Sequence, residues 1–162
     1  MNNNILESLR QDYYVSEKIE LNQKGLFANR NYKMGEVISD FSSSEILDHP
    51  TYLTVQLNEV DHILLHPIDL QYINHSCSPN SFFNTSTMKL EALKDIAKSD
   101  EFTFFYPSTE WDMDQAFLCR CGETSCIREV KGAKYLSIFE FEIHRFSNYI
   151  HSKYLSFYSL EK

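Results

Sequence analysis

Apolar and polar positions alternate in short runs along most of the chain, and each run is soon closed by turn-forming residues. Tyr13 to Leu21 reads as a short strand, and Gly25-Leu26-Phe27-Ala28 follows it. A polar turn through Asn29 and Asn31 and a tight turn at Gly35 lead to a second strand at Glu36–Phe41. Further strands are expected at Tyr52–Leu57 and at His62–His66, the latter stopped by Pro67. Ser81–Asn84 and Leu90–Leu93 read as a hairpin around Thr85-Ser86-Thr87, and Glu101–Tyr106 is a β-rich run ended by Pro107. After Gly132 the period changes. Apolar residues recur in steps of three and four at Phe139, Ile143, Phe146, Ile150, Tyr154 and Phe157, which is one face of a helix. The pattern predicts a mostly β fold with a C-terminal helix whose aromatic stripe packs on the β core; a partner-binding helix is the lesser reading.

Composition narrows this picture. With 162 residues, 43% of them hydrophobic, the chain suits one compact unit with its own core. The formal charge of −8 argues against a nucleic-acid backbone as partner and favours a basic one, such as a Lys-rich protein tail. No run approaches the ~18 apolar residues of a membrane span. The start, Met1-Asn2-Asn3-Asn4, lacks the features of a signal peptide. The expectation is a soluble cytoplasmic protein, with the nucleus or export to a host cell as alternatives. In a reducing compartment cysteines serve metals or chemistry more often than disulfides.

Three of the 4 cysteines fall in Cys119-Arg-Cys121-Gly-Glu-Thr-Ser-Cys126, and the fourth is Cys77. A tight three-ligand loop and one distant ligand suit tetrahedral Zn²⁺, with Gly122 at the sharp reversal, and the spacing favours that site over free thiols or disulfides. Asn74-His75-Ser76-Cys77-Ser78-Pro79-Asn80 is the most unusual stretch of the chain. By composition alone it reads sooner as a self-capping turn than as a ligand-binding loop.

Together these segments resemble the SET-domain family of protein-lysine methyltransferases. Asn74–Asn80 is similar to the family's N-H-S-C-x-P-N signature, and Glu101-Phe-Thr-Phe-Phe-Tyr106 to its E-L-T-F-D-Y motif. Cys119–Cys126 resembles the post-SET zinc knuckle, and Lys24-Gly25-Leu26-Phe27-Ala28 the G-x-G-L-F-A loop. The resemblance implies a β-clip fold of small curved sheets in which the segment carrying Tyr106 threads past the Asn74 loop as a pseudoknot. It implies three parts: a SET domain over 1–116, a post-SET zinc segment over 117–132 and a helical extension over 133–162. It further implies S-adenosylmethionine held by Lys24, Gly25, Leu26, Phe27, Asn74, His75 and Tyr106, with His75 acting mainly through its backbone. Tyr106 would be the catalytic tyrosine, and Phe104 and Tyr106 would wall a channel for the ε-amine of a lysine in a basic protein or peptide. Zn²⁺ would sit on Cys77, Cys119, Cys121 and Cys126. Phe at 104, where the family carries Phe or Tyr, implies room for di- or trimethylation. Phe102 and Phe105 read as core.

The departures are Gln23 for the first glycine of the donor loop, Gln71 for an arginine, Ser99 for a glycine and Phe105 for the motif's aspartate. Gln23 keeps a second reading open, a catalytically inactive SET-fold module that binds a protein partner. Glu110, Asp112 and Asp114 read equally well as an attractant for basic residues around a target lysine and as a solvated acidic loop.

Overall fold

The computed structural model describes residues 12–159, so the Asn-rich start lies outside the described residues. The strands are β1 (Tyr13–Lys18), β2 (Gln23–Ala28), β3 (Val37–Asp40), β4 (Ser42–Leu47), β5 (Thr54–Gln56) and β6 (His62–His66). They continue as β7 (Asn74–His75), β8 (Ser81–Asn84), β9 (Lys89–Ala92), β10 (Thr103–Phe104), β11 (Phe117–Leu118) and β12 (Glu129–Val130). Two helices follow, α1 (Ile138–Glu142) and α2 (Asn148–Ser159). The strands form small separate sheets: the pairs β1-β2, β7-β10 and β11-β12, and the triplets β3-β9-β8 and β4-β6-β5. Among the described residues, β7-β10 is the one parallel pair. The mostly β fold with a C-terminal helical segment is as the hydrophobic pattern predicts.

Local departures have local causes. Gln23–Ala28, expected as a loop, is a full strand paired with β1 in register from Tyr13↔Ala28 to Lys18↔Gln23. Ser42–Leu47 is polar and mostly exposed, so it carries no apolar alternation; its backbone pairing to β6 makes it a strand. Of Glu101–Tyr106 only Thr103 and Phe104 form a strand, Glu101 making an isolated antiparallel bridge to Phe27, and Tyr106–Ser108 turns into a 3₁₀ helix.

The single helix expected after Gly132 is two. Ser137 caps α1 with a capping box, its Oγ accepting from Glu140 N while Glu140 Oε2 accepts from Ser137 N at 2.7 Å. The helix stops where His144 turns inward, its ring 3.7 Å from that of Phe105 and parallel to it, with Nε2 3.0 Å from the carbonyl of Cys77. Ser147 then caps α2, its Oγ accepting from Ile150 N. Ile150 and Tyr154, one turn apart, are the buried face of α2.

Two apolar clusters result. One lies within the sheets and includes Leu26, Ile63, Phe83, Leu90, Phe102 and Phe104. The other joins Phe105, Trp111, Leu136, Phe141, Phe146, Ile150 and Tyr154 to the cysteine loop. Alternation along an extended segment explains the division, since adjacent Phe104 and Phe105 point to opposite sides. Phe105, which replaces a carboxylate, is 2% exposed and would leave that charge buried against aromatic rings. Ser99, which replaces a glycine, has φ 75, so the position retains the left-handed backbone that a glycine serves.

Gly132 has φ 120, and a Cβ there would lie 2.4 Å from the carbonyl oxygen of Trp111. Gly35 has φ 85 with nothing within 4 Å of the same position. Denaturant unfolding should therefore separate the two alanine variants. Gly35→Ala is expected to cost about 1 kcal/mol, the backbone preference alone, and Gly132→Ala more than about 3 kcal/mol.

Candidate functional site

The parallel bridge of β7 and β10 aligns Thr103 with Asn74 and Phe104 with His75. Ser76 N donates to Phe104 O at 3.1 Å, extending the bridge by one bond. The Asn80 side chain clamps the same strand from the other side: Nδ2 donates to Glu101 O and Oδ1 accepts from Thr103 N, each at 2.8 Å. Ser81 Oγ adds a bond to Thr103 O at 2.8 Å. Much of the polar signature is thus a brace for the strand leading to Tyr106, a self-capping turn that also builds a site.

Tyr106 stands at the centre. Its hydroxyl donates to Ile73 O at 3.1 Å, and its ring centroid lies 4.6 Å from that of Phe104, 5.3 Å from that of His75 and 5.9 Å from that of Phe117. Burial, with a smaller contribution from Glu101, pushes the phenol up to about 12, so it is protonated at neutral pH and acts as a hydrogen-bond donor. His75 Nδ1 accepts from Tyr106 N at 3.2 Å, which leaves the proton on Nε2, 3.3 Å from Cys77 Sγ. Burial lowers the His75 pKa to about 4, so the ring is neutral. The side chain of His75 is therefore an internal support, whatever its backbone holds.

Tyr106 lines a narrow cavity of about 30 Å³, walled also by Ile73, Phe104, Glu110 and Tyr52. A separate cleft of about 470 Å³ is lined by Lys18, Gln23, Asn74, His75, Glu101 and Phe117, and the Tyr106 ring touches its His75 and Phe117 rings from behind. A neighbouring cleft of about 610 Å³ shares Lys18, Gln23 and Asn74 with it, and adds Lys24 and Tyr72. These volumes fall within the ~300–1,000 Å³ usual for small-molecule sites. Glu101 organises the larger space: Oε2 accepts from Lys18 Nζ at 2.7 Å, and Oε1 from Asn74 Nδ2 at 2.8 Å. Asn74 Nδ2 also donates to Lys24 O at 2.9 Å.

The structure sorts the expected donor-loop residues. Lys24 and Asn74 line the clefts. Gly25 lies beneath Glu101, where a Cβ would come 2.8 Å from Oε1. Leu26 is fully buried in the sheet core, so its side chain is unavailable to a ligand, and the Phe27 ring stacks on Tyr14. Gln23 lies in ordinary paired strand opposite Lys18 and outside the left-handed region, so nothing in its backbone demands glycine. Gln71, on the wall of the narrow cavity, donates from Nε2 to Leu65 O at 3.1 Å.

The acidic residues after Tyr106 do not form one patch. Asp112 is bound by Lys134 Nζ and the Tyr135 hydroxyl, each at 3.0 Å, and Asp114 is exposed. Glu110 is 5% exposed, so it is neither a surface attractant nor part of a solvated loop. Sequence reasoning also passed over Lys18, Tyr52 and Phe117. An aromatic just before the first cysteine of the knuckle was the one local signal for Phe117.

The four thiols converge. The sulfurs of Cys77, Cys119, Cys121 and Cys126 all lie within 4.8 Å of one another, with Cys77 and Cys119 3.8 Å apart. Four thiolates around one tetrahedral ion at ~2.3 Å bonds sit about 3.8 Å apart, so the set fits such an ion. Burial pushes the Cys77 thiol up, a cost that a bound cation offsets.

Comparison with known proteins agrees with this geometry. The SET-domain family profile matches residues 23–107, from the start of β2 through the Tyr106 turn. Methyltransferase flvH of Aspergillus flavus is 40% identical over 102 residues, which cover 62% of this chain and 57% of flvH. The H3 lysine-4 specific histone-lysine N-methyltransferase of Aspergillus fumigatus is 36% identical over 63 residues, 35% of this chain and 5% of that enzyme. Human histone-lysine N-methyltransferase 2B is 26% identical over 127 residues, 65% of this chain and 5% of that protein. The chain thus spans little more than half of flvH and a small part of the histone enzymes. Among solved structures, a chain of the Chaetomium thermophilum polycomb repressive complex 2 is similar over 58% of this chain and 15% of its own, with 20% identity and a TM-score of 0.49. The four ordered motifs and a match through the strand bridge and Tyr106 lead to one conclusion: the chain belongs to the SET-domain family.

Proposed function

We propose that the chain is an S-adenosylmethionine-dependent protein-lysine methyltransferase with a zinc-bound knuckle. The observation that carries this reading is Tyr106, which lines a narrow cavity and packs its ring on His75 and Phe117, two walls of a separate cleft of small-molecule size. Relatives named as methyltransferases support it. S-adenosylmethionine supplies a methyl group on a sulfonium, which a neutral amine displaces in line.

The chain's own residues serve that geometry. Lys18, Asn74 and Glu101 offer charged and polar groups for the donor's amino-acid end, and the His75 and Phe117 rings offer apolar surface beside them. Phe104, Ile73 and Tyr106 exclude water from the amine cavity, which favours the neutral form of a group whose free pKa is ~10.4. The Tyr106 hydroxyl, its one proton given to Ile73 O, is held in a fixed orientation that leaves its oxygen lone pairs to accept from an amine in the narrow cavity. Alignment, not strong acid or base, is the main demand of the reaction. Phe104 brings no hydroxyl to the cavity, which supports di- or trimethylation. The acidic charge of −8 supports a basic substrate. Nothing in the backbone at Gln23 favours the inactive module.

Labelled S-adenosylmethionine with a panel of Lys-rich proteins tests the enzyme. Tyr106→Phe should lower turnover about 10²- to 10³-fold, the usual effect of removing one aligned polar group, while S-adenosylmethionine affinity stays within about 2-fold. Equal labelling by wild type and variant, or no labelling by a wild type that binds the donor, overturns the reading.

Elemental analysis should find about one zinc per chain, since four thiolates favour that ion. Chelation should release it and abolish the β11-β12 pairing that the loop closes, read as loss of amide protection across 117–130. A folded, metal-free protein with four titratable thiols would refute the site.

A further inference from the structure

Among the described residues Glu110 is the one buried carboxylate side chain, and it forms no ion pair with lysine, arginine or histidine. It lies just beyond the 3₁₀ turn that begins with Tyr106 and lines the same narrow cavity. Its backbone is held on both sides: the carbonyl accepts from Ala133 N at 2.8 Å, and Gln56 N donates to the carbonyl of the preceding Thr109 at 3.2 Å. The Gln56 side chain fixes the next residue, Oε1 accepting from Trp111 N at 3.1 Å. The carboxyl itself accepts one bond, from Gln56 N to Oε1 at 3.1 Å. Oε2 has no partner among the described residues, neither a donor for a carboxylate nor an acceptor for a carboxylic acid.

A carboxyl that is 5% exposed and accepts a single bond leaves its second oxygen to the small accessible space it borders, where water or a ligand group can donate to it. The cavity is the free direction. Its volume of about 30 Å³ holds about two water-sized groups, the size of an ammonium and its first methylene. Among its other walls, Ile73, Leu70 and Phe104 are apolar and suit an alkyl stem. We propose that Glu110 receives the ammonium group of the substrate amine, with Oε2 as its hydrogen-bond acceptor.

This deepens the reading of the chain as an amine methyltransferase and rests on it. Glu110 admits a cationic amine on a flexible alkyl stem, and the ammonium gives one proton back to this carboxylate before methyl transfer, which leaves the neutral amine beside Tyr106 and Phe104. Burial holds the empty carboxyl well above the ordinary carboxylate range, moderated by the Gln56 N–H. Tyr52, Tyr106 and Asp114 are the other ionisable groups on the cavity wall. Ammonium binding therefore ionises Glu110, and its proton passes to solvent.

The test uses the whole chain, Glu110→Gln and n-butylammonium, the lysine side chain without its backbone. The amide oxygen still accepts from Gln56 N, so the variant keeps the fold, checked by unfolding and by unchanged S-adenosylmethionine affinity. Calorimetry in two buffers of different ionisation enthalpy should show wild type binding butylammonium with proton release. Glu110→Gln should bind about 10- to 100-fold more weakly and without proton release. In turnover, KM for the amine substrate should rise by the same factor while KM for the donor is unchanged. Equal affinity of both proteins, or no binding by wild type, overturns the proposal. Glu110-dependent amine binding without methyl transfer on any substrate would leave this site standing and remove the methyltransferase reading instead.

Discussion

The site depends on one side chain that faces neither cleft as its main task. Asn80 gives both ends of its amide to the strand before Tyr106, donating to Glu101 O and accepting from Thr103 N. A two-residue parallel pair such as β7-β10 is marginal alone, because parallel pairing is weak and nothing local joins its strands. The Asn80 clamp and the Ser81 hydroxyl supply bonds that a longer sheet would have drawn from its own ladder. With that segment held, Glu101 reaches Lys18 and Asn74 on one side, and Tyr106 closes on Ile73 on the other. The juxtaposition of the Tyr106 segment with the Asn74 loop is what a threaded SET topology requires.

Alternation along this strand couples the site to the tail. Phe104 enters the sheet core, and Phe105 enters the cluster that α1, α2 and the cysteine loop share. His144 stacks on Phe105 and reaches the carbonyl of Cys77, so the bend between the helices, the knuckle and the strand carrying Tyr106 are one packed unit. A ring buried on this scale contributes about 1.5–3 kcal/mol, which makes Phe105 a structural gain where the related motif has a charge. Lys153 pairs with Glu59 and so ties α2 to the loop between β5 and β6, while Trp111 beneath its ammonium ties α2 to the segment that follows Tyr106.

Several features were legible before any coordinates. The strands at His62–His66 and Ser81–Asn84 lie where short apolar runs bounded by turn residues put them, and consecutive buried positions show that both faces of each are covered. Ser42–Leu47 escaped because backbone bonds to β6, absent from any side-chain pattern, define it. The tail's periodicity was real, yet it passed through a bend, since Phe146 serves the same core from a non-helical backbone. Leu26 sat in a motif and proved to be core, while Glu110 looked like a surface acid and proved to be buried.

The sequence alone determined the mostly β class, the ending of the chain in helix, the cysteines as a set and the family resemblance, because each rests on residue types at short spacing. Only the tertiary structure decided which carboxylates are solvated, which cavity Tyr106 lines and which glycine is crowded. Those properties depend on the dielectric and on backbone approach from distant segments: Gln56 sets the environment of Glu110, and Trp111 that of Gly132. Short-range pattern carries no trace of such neighbours, so chemistry written locally was readable and chemistry created by burial was not.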